Sequence, residues 1–197
     1  MIGDGALGRG PTGRGPASDR RRGREPVDVD GWAEPSAAQR QALLGRTESV
    51  AMVGVSANPA RPSHFVATYL LSSSTDFDVY LVNPAADEIL GRPCYRRLAD
   101  LPAVPDLVDV FRRPADLAGV ALEAIDVGAQ AFWAQLGLWS PQAARLAHDA
   151  GLDVVMDRCL KIEHARFAGG LHLAGFDTGV VDSRRTARRA SRTTSNA

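Results

Sequence analysis

The sequence predicts an α/β fold built on a doubly wound, five-stranded parallel sheet with helices on both faces. Three observations carry that prediction. Five short apolar runs, at residues 50–55, 79–82, 107–111, 131–134 and 153–156, are continuous rather than alternating, as strands covered on both faces must be. Asp109 lies inside one run and Asp153 opens the last. Amphipathic stretches of helix length separate the runs, and most of these stretches carry their own start and stop residues. Parallel strands joined by such helices cross over with a right hand, which makes the architecture Rossmann-like.

The elements follow in order. A helix over about residues 36–44 leads into the first strand. Ser63 precedes HFVATYLLSSS, where Phe65, Val66, Tyr69 and Leu70 share one face. Pro114 opens ADLAGVALEAIDVG and Ser140-Pro141 opens QAARLAHDAG, with Gly128 and Gly151 as stops. Trp133 reads as core of a central strand, while Trp32 and Trp139 read as covers for helix surfaces.

With 45% hydrophobic and 23% charged residues, the 197-residue chain suits one soluble domain, expected at residues 25–182. The 23 basic and 23 acidic residues cancel, but unevenly along the chain. Residues 1–24 hold six Arg against Asp4 and Asp19, and residues 183–197 hold five Arg and no acid, so the ends carry +9 and the middle −9. An acidic body argues against a globular nucleic-acid surface and leaves that role only to the tails. Both tails lack core-forming side chains and are expected to be disordered. Cys94 and Cys159 lie far apart with no metal-ligand spacing around Cys94, which supports neither a disulfide framework nor a structural zinc site. No stretch approaches 18 apolar residues and no apolar leader is visible, so the expectation is a cytoplasmic protein without membrane contact. Residues 168–182, rich in Gly, read equally as an irregular extension or as a contact for a homodimer or another partner protein.

Ligands of such a sheet bind beyond the carboxyl ends of the strands. After the first strand comes a loop with Gly54, Val55 and Ser56, closing on Arg61, Pro62 and Ser63 at a helix start. Free backbone N–H groups and the helix dipole there favour an anion by about 0.3–1 kcal/mol per charge, and Arg61 adds a bidentate donor. The plainer reading makes Ser63 only an N-cap and Gly54 only a close-packing residue. A dinucleotide fingerprint fails, because Ser56 and Pro59 stand where further glycines belong and Asn83-Pro84 replaces the acid that would hold a ribose. A P-loop is missing too, since Lys161 is the sole lysine and lies far downstream. His64, His148, His164 and His172 are scattered, and no nucleophile–base pair is legible.

The series SVAMVGVSANPARPSHFVATYLL, VYLVNPAADEILGRPCYRRLADLP, DLVDVFRRP and AFWAQLGLWSPQAARLAHDAGLDVVMDRCLKIEHARF resembles the stand-alone CoA-binding domain family, similar to the CoA-binding half of the succinyl-CoA synthetase α subunit. The resemblance covers about residues 49–167. It implies that coenzyme A, or an acyl-CoA, is held across the strand ends. Gly54, Val55, Ser56, Arg61, Pro62 and Ser63 would then cradle phosphates, and Asn83 and Pro84 would lie beside the nucleotide. Phe111, Arg112 and Arg113 would flank the adenine and its phosphates, with Gln135 and Gly137 closing the pocket. In one departure, Ala85-Ala86 follows Val-Asn-Pro where the family often carries Lys or another polar residue. The expectation is a CoA-binding protein without catalytic activity of its own. Two alternatives are an NAD(P)-dependent oxidoreductase and an interaction protein working through its Arg-rich tails.

Overall fold

The computed structural model describes residues 31–168; the expectations for the two tails and for residues 169–182 lie outside that range. Helix α1 (Ala37–Arg46) starts at a reciprocal cap, in which the Gln39 amide N–H donates to Ser36 Oγ and the Ser36 N–H donates to Gln39 Oε1. Strands β1 (Ser49–Val53) and β2 (Asp78–Val82) are joined by α2 (Pro62–Leu70). A short hairpin follows, β3 (Glu88–Ile89) and β4 (Arg92–Tyr95). Then come β5 (Leu107–Val110), α3 (Leu117–Asp126), β6 (Ala131–Ala134), α4 (Pro141–Asp149), β7 (Asp153–Val155) and α5 (Leu160–Phe167).

Among the described residues the sheet runs β3-β4-β2-β1-β5-β6-β7, seven strands rather than the expected five. All neighbours are parallel except β3 and β4. The five apolar runs became β1, β2, β5, β6 and β7. The two additional strands lack an apolar run, since β4 reads Arg-Pro-Cys-Tyr and β3 has only two residues. Their turn places Leu90 at φ 53° and Gly91 at φ 70°, the left-handed pair that a two-residue hairpin turn requires.

From β1 the chain builds outward through β2, then returns to the other side of β1 to lay down β5. The strand order therefore reverses between β1 and β5. Helices α1, α2 and α5 pack together, as do α3 and α4. Two buried clusters result, one containing Met52, Leu107 and Trp133, the other containing Val53, Val110 and Phe132. Alternation along each strand sends successive side chains into opposite clusters.

Two buried contacts fix the periphery. Arg40 of α1 donates to Glu163 of α5 at 2.8 Å, an ion pair whose side chains are less than a tenth exposed. Trp32, expected to cover a helix, instead lies buried against β7, where its indole N–H donates to the Val154 carbonyl at 3.4 Å. Glu34 accepts from the Met156 N–H at 3.3 Å. The segment before α1 therefore covers polar groups along the free edge of the last strand. Trp139 is half-buried with its ring 5.5 Å from that of Trp32. Trp133 is fully buried, as expected, with its indole N–H donating to the Arg158 carbonyl.

Candidate functional site

Where β1 and β5 diverge, Gly54 leaves the sheet at φ +86°, a backbone conformation that side chains disfavour. Its N–H donates to the Val82 carbonyl, and the Phe111 N–H donates to the Val53 carbonyl, so the two exits are tied to their neighbouring strands. Arg112 lies directly over Gly54. A cleft of about 440 Å³ opens here, lined by Gly54, Pro84, Arg96, Arg97 and Arg112, with Gly119, Val120 and Glu123 contributed by α3. Three residues singled out from the sequence, Gly54, Pro84 and Arg112, thus meet in one crevice. Arg96 and Arg97 were missed, because they follow β4, a strand without the apolar run that would have announced it.

The loop after β1 is held by its own side chains. Ser63 is not an N-cap: Pro62 takes the first helical position, Arg61 stands at the cap without a side-chain bond, and buried Ser63 Oγ accepts from the Ser56 N–H at 3.1 Å. Ser56 Oγ accepts from the Asn58 N–H, and Asn58 Oδ1 accepts from the Ala60 N–H. His64 Nδ1 lies 3.0 Å from the Ser56 carbonyl. Val55 is buried, and its carbonyl accepts from Asn83 Nδ2 at 2.7 Å. Asn83 also accepts from the Ala85 N–H, so this one amide couples the loops after β1 and β2. Arg61 is exposed and does not reach the cleft lining.

Arg112 has Asp116 at 3.7 Å, and the more exposed Arg113 reaches the same carboxylate at 3.2 Å. Phe111 is half-buried within the α2-side cluster. Gln135 and Gly137 sit one strand further along. Gln135 is buried and donates its Nε2 to both carboxyl oxygens of Asp109, at 2.8 and 3.0 Å. Burial pushes the Asp109 carboxyl up to about 8, against the smaller opposing effect of the Gln135 bond. Gly137, at φ +83°, donates its N–H to Asp157 Oδ1 at 2.5 Å. Cys94 donates from Sγ to the Asn83 carbonyl at 3.7 Å, and burial pushes its thiol up from its ordinary value.

Residues 48–165 match the family described as CoA binding domain. The chain belongs to the CoA-binding domain family. The chain is similar to the uncharacterized protein YneT of Bacillus subtilis, 37% identical over 131 residues, covering 66% of this chain and 96% of the relative. A hypothetical protein from Pyrococcus horikoshii superposes with a TM-score of 0.65 at 35% identity, over 73% of this chain and 96% of that one. A Thermus thermophilus protein gives a TM-score of 0.62 at 32% identity, over 67% and 98% respectively. The matched segment accounts for nearly the whole of each of these relatives. Among the described residues, no helix is long and apolar enough to cross a membrane.

Proposed function

We propose that the protein binds CoA or an acyl-CoA in the cleft between the ends of β1 and β5, and that it catalyses no reaction by itself. The carrying observation is the placement of Arg112 over the bare backbone of Gly54 at the point where strand order reverses. The missing Cβ leaves room for the Arg112 side chain to lie across Gly54 at the cleft, where its guanidinium supplies paired donors to a diphosphate. The volume of about 440 Å³ falls in the range of small-molecule sites.

The absence of catalysis is supported by how the reactive groups are used. Ser63 Oγ accepts from the Ser56 N–H and Ser56 Oγ from the Asn58 N–H, while burial pushes the Cys94 thiol up from its ordinary value. Asn83 spends its side chain on Val55 and Ala85 rather than presenting a carboxylate to a nicotinamide ribose. Titration calorimetry with CoA, acetyl-CoA, NAD and NADP tests the proposal. Binding of a CoA species in preference to both nicotinamide dinucleotides is the expected result; tighter binding of NAD or NADP overturns it.

A further inference from the structure

Resting on the CoA reading above, we propose that Arg96 and Arg97 form a second phosphate subsite, which selects ligands bearing a ribose phosphomonoester beside their diphosphate. Both arginines line the same cleft as Arg112. Parallel pairing of β2 with β4, in the register Val82 to Tyr95, brings them there. The Asn83 N–H donates to the Tyr95 carbonyl at 2.8 Å, so the residues that follow Tyr95 run beside Asn83 and Pro84.

Strands β4 and β5 are separated by β2 and β1, three interstrand steps or about 14 Å at the backbone. That is a backbone distance; with all three side chains reaching into one shared cleft, the cations are placed to meet two anionic groups divided by a sugar rather than one phosphate. The loop after β2 supplies no cation of its own, because Ala85 and Ala86 follow Pro84. Arg96 is largely solvated, with its nearest acid, exposed Asp87, 3.8 Å away. Such a pair yields readily to a phosphate dianion. Arg97 is oriented by two bonds to Asp100, at 2.9 and 3.4 Å, which leaves its guanidinium fixed at the rim.

A ribose phosphomonoester occurs at the 3′ position in CoA and at the 2′ position in NADP, so both sources enter the test. The full chain and an Arg96→Ala/Arg97→Ala double variant are titrated with CoA, 3′-dephospho-CoA, NADP and NAD. A thermal melt checks that the variant keeps its fold, as two exposed side chains should allow. The full chain is expected to bind CoA at least about tenfold more tightly than 3′-dephospho-CoA. In the double variant that ratio should fall below about threefold while affinity for 3′-dephospho-CoA stays within threefold of the original. A ratio that survives in the variant, or no preference in the original chain, overturns the subsite. A preference for NADP over NAD that the variant loses, with no CoA binding, upholds the subsite and overturns the CoA reading.

Discussion

A Cβ built on Gly54 would lie 2.8 Å from Cδ of Arg112, closer than such atoms pack, and a tight 3.1 Å from the carbonyl oxygen of Phe111. The ends of β1 and β5 are therefore pressed together across a single missing side chain. Relief by moving Arg112 alone is not enough, because the Phe111 backbone stands behind it.

Gly54→Val should accordingly damage both fold and site. The left-handed backbone costs a branched residue about 1–2 kcal/mol before the clash is counted. Denaturant unfolding should register a loss of at least that size, and calorimetry a drop in CoA affinity of tenfold or more. Normal CoA binding by this variant would remove the loop from the site.

Arg112→Ala and Arg61→Ala should separate. Arg112 lines the cleft and Arg61 does not, so removing Arg112 should weaken CoA binding by about 1–3 kcal/mol and removing Arg61 by clearly less. Equal losses would place the phosphates nearer the start of α2 than the cleft suggests.

Asp109 should make stability depend on pH. Its folded value, about 8, lies above the ordinary value of 3.8, so folding takes up a proton between those two values. The stability associated with the neutral carboxyl is complete below pH about 4 and is lost as pH rises toward 8. Urea unfolding at pH 5, 6 and 7 should show the original chain losing about 1.4 kcal/mol per pH unit relative to Asp109→Asn. Parallel pH profiles for the two proteins would show that the carboxyl is already ionised when folded.

Glu163→Ala should destabilise the fold by about 3–5 kcal/mol, since it strands the Arg40 guanidinium in a buried position. Chemical denaturation of the single variants and of the Arg40→Ala/Glu163→Ala double variant measures it. The double variant should cost less than the two single losses combined, and simple additivity would deny the coupling of α1 to α5.

What could be read from the sequence divides along physical lines. Continuous apolar runs announce strands buried on both faces, so the five runs that became β1, β2, β5, β6 and β7 were legible, and with them Gly54 and Arg112 at two strand exits. Strand β4 carries Arg92 and Pro93 and is held by pairing with β2, a long-range effect that no local pattern signals. Arg96 and Arg97 stayed hidden with it. An Asp inside an apolar run hinted at the burial of Asp109, but its partner Gln135 arrives from the next strand, 26 residues away. Ser63 looked like a cap because serine often is one; Pro62, fixed at φ near −65°, starts the helix earlier and frees the hydroxyl for Ser56.

The covering of β7 by Trp32 and Glu34 also bears on how two copies of this chain could meet. A bare outer strand invites a second molecule to continue the sheet, hydrogen bond by hydrogen bond. Here one margin is occupied by the chain's own approach to α1, and the other ends in β3, two residues long and antiparallel to the rest. Among the described residues, neither margin offers a long bare template for strand addition. Any meeting of two copies through the described residues would then fall to the helical surfaces, where Phe65 of α2 and Ile162 of α5 stand more than half exposed.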